Sequence, residues 1–227
     1  LPKIKYMYNE QNYDVVDHNF WNTPDNVNLH GFFQSTNYFK EFDKQIRKEF
    51  TLKKEFTDKA LEFIKELKSK NNNKEIVSIH FRRGDVTDGT NNISKKYYGE
   101  GGKLTKDSIC GNYINKAMSY FTSGNYIFLL FTGGSRSGDD NSQDVQWLKE
   151  NLKGSNFYYS GGKTTLEDFA LIKECDHNIM SHSSSFGWWA AYLNDNPNKK
   201  VIAPKDYSME PNGWNREGFY PDNFTLI

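Results

Sequence analysis

The chain has 227 residues, and its 29 lysines and arginines are matched by 29 aspartates and glutamates. That balance excludes bulk electrostatic capture of a nucleic acid, which needs a basic excess to displace counterions, and it excludes an acidic solvating tail. With 26% charged residues, 36% hydrophobic residues and a mean hydropathy of -0.83, the chain holds no apolar run near the roughly 20 residues that span a bilayer.

Residue 1 is Leu and no signal-peptide pattern follows it, so the chain reads as trimmed at its start. Residues 1–42 are rich in Asn and aromatics, keep no sustained period and carry loop punctuation at Asn22-Thr23-Pro24-Asp25; they read as irregular. Over 43–67, Ile46, Phe50, Phe56, Ala60, Leu61, Phe63, Ile64 and Leu67 recur mostly at three- and four-residue spacing, which predicts one or two helices before the polar run at 69–74. Five strand-like runs follow at 75–81, 126–131, 156–160, 177–181 and 200–203, each bounded by Gly, Asn, Ser or Pro. Helical periodicity fills the gaps, on Ile109, Tyr113, Ala117 and Tyr120, then on Val145, Leu148 and Leu152. Leu166, Phe169, Ala170 and Ile172 mark a third helix, and Trp188, Trp189, Tyr192 and Leu193 a fourth. This alternation predicts the α/β class, with a Rossmann-like parallel sheet flanked by helices, because parallel neighbours need a crossover connection. Two units result, 1–74 and 75–227. The two cysteines, Cys110 and Cys175, read as free, packed thiols rather than a disulfide scaffold or zinc site.

In such sheets ligands lie beyond the carboxyl ends of the strands, where connections diverge. The first strand ends in His80-Phe81-Arg82-Arg83-Gly84-Asp85, which brings two guanidiniums to the rim, where Arg can grip a phosphate bidentately. The second runs into Thr132-Gly133-Gly134-Ser135-Arg136, whose glycines let backbone N–H groups approach an anion. The fourth ends in Ser181-His182-Ser183-Ser184-Ser185, just before a helix starting near Phe186 and Gly187; hydroxyls and free N–H groups there suit a phosphate. Three loops thus converge on one rim with anion-binding chemistry. Each also has a structural reading: an Arg pair in a surface ion pair, a solvated Gly loop, a serine N-cap, and His80 as a hydrogen-bonded core histidine. Trp188 and Trp189 read as core, since adjacent indoles on a helix face different directions. Arg83-Gly84-Asp85 closes a hydrophobic strand instead of an exposed adhesion loop, and residues 99–103 lack the spacing of a Walker phosphate loop. Asp139-Asp140-Asn141 would suit a metal-bridged sugar nucleotide, but reads better as a solvated turn.

These motifs, in their order, resemble the α-1,2-fucosyltransferases that act on galactosides, and more distantly other α-1,2- and α-1,6-fucosyltransferases. His80-Phe81-Arg82-Arg83-Gly84-Asp85 is similar to that family's His-x-Arg-Arg-Gly-Asp signature. Glu167-Asp168, then Cys175-Asp176-His177-Asn178-Ile179, then Ser184-Ser185-Phe186-Gly187-Trp188-Trp189 resemble its Glu-Asp, Cys-x-His-x-Ile and Ser-Ser-Phe-Ser-Trp-Trp run, with Gly187 where Ser is usual. Gly31-Phe32-Phe33-Gln34-Ser35 with Tyr38-Phe39, Val201-Ile202-Ala203-Pro204 and Tyr220-Pro221 fall in family order too. The longer loop from Thr132 to Asp144 replaces a short Ser-Asp-Asp turn, and the Gly-x-Gly-Asn-Gln segment that usually opens these enzymes does not precede Leu1.

The resemblance implies a two-lobed GT-B-type glycosyltransferase, with residues 75–227 as the GDP-fucose-binding lobe and 1–74 as the remainder of an acceptor-side lobe. It implies transfer of L-fucose from GDP-fucose to the 2-hydroxyl of a galactose-containing glycan, with inversion and without metal or other cofactor. Arg82, Asp85 and His80 are the candidate catalytic residues. Arg82, Arg83, Thr132, Gly133, Asp168, Ser183, Ser184, Ser185 and Phe186 are the candidates for holding the donor. The competing readings are a non-catalytic nucleotide-sugar or glycan-binding remnant and a metal-dependent sugar transferase. No nucleic-acid partner and no membrane contact are expected of this segment. A bacterial or viral cytoplasmic origin fits the Asn- and Lys-rich composition, and the Golgi lumen is the eukaryotic alternative.

Overall fold

The structure is a computed structural model and describes residues 6–87, 92–99, 102–133, 142–160, 164–207 and 217–227. The stretch expected to be irregular contains two short strands, Tyr6–Asn9 (β1) and Val27–His30 (β2), paired in parallel with Tyr6 opposite Val27. Alternation over four mostly exposed positions is too weak a pattern to separate from loop. Tyr8, Phe20, Phe33 and Tyr38 pack ring against ring beside them, and Glu10 accepts the N–H groups of Phe32 (2.7 Å) and Phe33 (2.9 Å).

The periodicity of 43–67 divides into two helices, Asp43–Glu49 (α1) and Lys54–Ser69 (α2). In α2 the buried residues Ala60, Ile64 and Leu67 lie on one face and pack on Ile76, Ile127, Leu129 and Phe131 of the main sheet. Residues on either side of position 74 therefore share one core. The sheet strands are Glu75–Arg82 (β3), Tyr126–Gly133 (β4), Phe157–Tyr159 (β5), His177–Ile179 (β6), Val201–Ala203 (β7) and Phe224–Leu226 (β8). The first five lie at the expected runs. β8 was missed by the sequence reading, since it is a three-residue edge strand with only Phe224 buried. The helices between them are Asn92–Tyr98 (α3), Ile109–Met118 (α4), Ser142–Asn151 (α5), Thr165–Glu174 (α6) and Ser185–Leu193 (α7); α3 carried no periodic signal.

All neighbours pair in parallel, in the order β5-β4-β3-β6-β7-β8. Alternation along β3 sends Val77, Ile79 and Phe81 toward α4 and α5, and Ile76 toward α2 and α6, so each face of the sheet has its own apolar core. A third cluster joins α7 to β7 and β8 through Trp188, Tyr192, Val201 and Phe224. Counted from β3, the order is 3-2-1-4-5-6, the doubly wound arrangement in which chain connections diverge between the first and fourth strands. The crevice that this divergence opens lies beyond the carboxyl ends of β3 and β6.

Candidate functional site

β3 carries Arg82 to the rim of that crevice. Its backbone N–H donates to Ser181 Oγ at 3.1 Å, and its Nη1 donates to the Ser183 carbonyl, so one residue bridges the ends of β3 and β6. Ser183 has φ +49°, a left-handed conformation costly for a residue with a Cβ. Its N–H and its Oγ both donate to the Tyr207 carbonyl, at 2.7 and 3.2 Å, and this anchorage turns the Ser183 carbonyl toward Arg82. Ser184 is the N-cap of α7, with its Oγ accepting from the Gly187 N–H at 3.2 Å. Ser185 begins α7 and is exposed; it helps line a cavity of about 70 Å³ walled by Phe32, Phe39, Trp188, Trp189 and Phe219. Phe186 packs its ring between His80 and Phe169, 5.4 Å from each.

His80 is buried beneath this turn, with Nδ1 3.3 Å from Ser184 Oγ. Burial, with the Arg82 charge adding to it, pushes its pKa down to about 4, so the ring is neutral at pH 7. Gly187 stands against the ring: a Cβ there would come 3.3 Å from His80 Nδ1, a tight approach that glycine relieves.

Arg83 leaves β3 in the other direction. Its Nε donates to Asp144 Oδ1 of α5 at 3.0 Å, Asp144 is 0% exposed, and the guanidinium lies 3.9 Å from the Trp147 ring centroid and 4.9 Å from that of Tyr98. Its backbone N–H donates to the Gly133 carbonyl at 3.1 Å, where Gly133 adopts φ +151°, a value that favours glycine. Thr132 is buried, and its Oγ1 makes no hydrogen bond among the described residues. Asp168 is buried in the first turn of α6, whose N-terminus is closed by a capping box between Thr164 and Glu167. Asp85 falls in a single 3-10 turn, Gly84–Val86; its side chain, and residues 134–141 with Asp139-Asp140-Asn141, lie outside the described residues.

The Cys175 to Ile179 run serves the sheet. Asp176 accepts the Ile76 N–H at 2.8 Å and pairs with Lys68 at 2.7 Å, and Asn178 Nδ2 donates to Ser78 Oγ and to the Ile172 carbonyl, both at 2.8 Å. These contacts hold β6 beside β3 and thereby set the crevice. Both thiols are buried, and burial pushes Cys110 up to about 12 and raises Cys175 as well. Trp188 is buried against Tyr192, while Trp189 stacks on Phe50 at 5.0 Å, as expected of packed indoles. Ser181 and His182 stand in the rim motif that the sequence singles out, whereas Asp144, Trp147, Tyr97, Tyr98 and Tyr207 were missed; the adjacent pair Tyr97-Tyr98 is visible as letters, but no spacing ties it to the rim.

Against known proteins, the model of glycosyl transferase family 11 matches residues 2–219. Galactoside alpha-(1,2)-fucosyltransferase 1 of Aotus azarae is 29% identical over 177 residues, covering 74% of this chain and 43% of its own length. The protein of that name from Homo sapiens shows the same identity and coverage. The chain thus spans less than half the length of these relatives. Among solved structures, NodZ alpha-1,6-fucosyltransferase co-crystallized with GDP matches at 16% identity and a TM-score of 0.43, over 73% of this chain and 50% of that one; the fold assignment rests on the sheet order above. With the family pattern matched from the small β1–β2 sheet through the Arg82 crevice to Phe219, the chain belongs to glycosyl transferase family 11.

Proposed function

We propose that this chain carries the donor-binding half of an inverting α-1,2-fucosyltransferase, which moves L-fucose from GDP-fucose to the 2-hydroxyl of a galactoside. Family membership and the names of its relatives support the reaction class. The observation that carries the site assignment is Arg82, a guanidinium held at the switch-point crevice by the Ser183 carbonyl. In the reaction the anomeric C–O bond to the diphosphate breaks as the bond to the acceptor oxygen forms on the opposite face, and the acceptor hydroxyl loses its proton. Negative charge grows on the leaving GDP, and a preorganised cation beside it lowers the barrier. Arg82 supplies that charge, and the N-terminus of α7 adds its positive end. Thr132, Gly133 and the Ser183 to Ser185 turn line the diphosphate, and Asp168 with Phe186 lies on the guanosine side. Asp85 is the candidate to orient the loop or accept the acceptor proton. Arg83, committed to Asp144 and Trp147, holds the loop from behind, and neutral His80 supports the Ser184 turn. The aromatic cavity that shares Ser185 offers ring faces on which a sugar can stack. No metal is assigned a part.

Titration calorimetry with GDP in the presence of a chelator tests this reading. The expected result is binding without divalent ions, weakened strongly by Arg82→Ala, with fucosyl transfer to a galactoside reduced on the order of 100-fold. Absence of GDP binding overturns the donor site. Activity abolished by the chelator favours the metal-dependent reading, and GDP binding without transfer to any galactoside favours the remnant.

A further inference from the structure

Two phenol hydroxyls lie in the core directly behind Arg82, and the reaction has no use for either. Tyr97 and Tyr98, at the end of α3, are 1% and 0% exposed, with rings perpendicular at 4.7 Å. The Tyr98 hydroxyl donates to the Arg82 carbonyl, and its ring lies under the Arg83 guanidinium. The Tyr97 hydroxyl lies 2.7 Å from His182 Nδ1 and also meets Cys110 and Ser181, whose own Oγ receives the Arg82 N–H. The His182 ring is wedged edge-to-face between Tyr97 and Tyr113, at 5.0 and 4.9 Å. One adjacent pair therefore reaches both sides of the crevice, the end of β3 through Tyr98 and the β6–α7 turn through Tyr97. Phenylalanine would fill the same space without the cost of burying a hydroxyl.

The geometry points to Tyr97 and Tyr98 as positioning residues that lock the end of β3 to the β6–α7 turn and so preset Arg82 against the Ser183 carbonyl before a diphosphate arrives. The ligand in this inference rests on the donor-site reading above; the lock itself does not. A site set in advance spends none of its binding free energy on ordering the arginine.

Tyr97→Phe and Tyr98→Phe keep the packing and remove one hydroxyl each, and His182→Phe keeps an aromatic ring between Tyr97 and Tyr113 but removes the ring nitrogen that the Tyr97 hydroxyl meets. Each is expected to weaken GDP binding about tenfold with the melting temperature little changed. Placed in an Arg82→Ala background, the same substitutions are expected to lose clearly less GDP affinity than in the parent, because the part that acts through the Arg82 side chain is already missing. An equal tenfold loss in both backgrounds overturns the inference. Nitrogen-15 spectra of the arginine side chains in ligand-free protein decide the lock independently of GDP. Distinct, slowly rotating Arg82 signals are expected in the parent and averaged ones in the tyrosine variants, with Arg83 unchanged. Arg82 signals identical in parent and variants overturn the lock even if GDP never binds, whereas failure of the parent to bind GDP overturns only the donor site.

Discussion

At the scale of single residues, neighbouring arginines with the same chemistry divide into different roles because their partners differ. Arg82 is half-buried at the rim, held by a carbonyl, whereas Arg83 is buried in an ion pair with a fully enclosed carboxylate and covered by two aromatic rings. Their substitution effects should separate accordingly. Arg83→Met leaves the Asp144 carboxylate enclosed without this partner, and the expected cost is about 3 kcal/mol of stability, read from urea unfolding. Arg82→Lys keeps a charge but loses the planar fork, so stability should hold within about 1 kcal/mol while transfer falls steeply, measured as initial rate at saturating GDP-fucose. Both arginines are adjacent letters in one motif, and only the contacts of each separate the rim residue from the buried one.

Among the elements, α7 has partners at both ends, and its amino end bears on the crevice. Ser184 caps its N-terminus. At its C-terminus Lys199 Nζ donates to the carbonyls of Ala191, Tyr192 and Asn194 at 2.8, 3.2 and 2.6 Å, and Arg47 Nη2 donates to the Tyr192 carbonyl at 3.0 Å. Cations at the carboxyl end and an uncrowded amino end both complement the helix dipole, so the end facing the crevice is the positive one. Ser184→Ala should cost about 1 kcal/mol through loss of the cap and also weaken GDP binding, since it shifts the turn that carries Ser183 and Ser185. Lys199→Met should cost about 2 kcal/mol by stripping donors from several carbonyls, yet leave GDP affinity unchanged. Thermal melts paired with calorimetry separate the two effects; equal loss of affinity in both variants would count against the assignment of the amino end to the ligand. The periodicity of Trp188, Trp189, Tyr192 and Leu193 announced this helix, but nothing in the string linked Lys199 or Arg47 to its end.

For the molecule as a whole, buried histidines make stability depend on acidity: His80, His177 and His182 are all buried, and burial lowers the pKa of each. Burial pushes both His80 and His182 from 6.5 down to about 4. Between those values the unfolded chain binds protons that the folded one refuses, so the stabilisation from a neutral ring is complete above pH 6.5 and is lost as pH falls toward 4. Going from pH 7 to pH 5 should cost about 2 kcal/mol for each of His80 and His182, visible as a lower urea midpoint. A midpoint that is flat over that interval would show the rings to be accessible to protons in the folded state. Strands β3 to β7 and most helices could be read from local hydrophobic pattern, as could the rim position of Arg82, because burial imposes a pattern on the residues that form each element. The β1–β2 pair, β8 and α3 could not, since each is short or lacks such a pattern. Sequence alone determined the α/β class and brought the charged motif to the end of a buried strand, through rules that operate over a few residues. Tertiary structure alone decided that β3 and β6 flank the switch point, that Arg83 turns inward and that Arg82 is locked to Ser183. Those outcomes depend on partners 61 and 101 positions away in the chain, which no local period encodes.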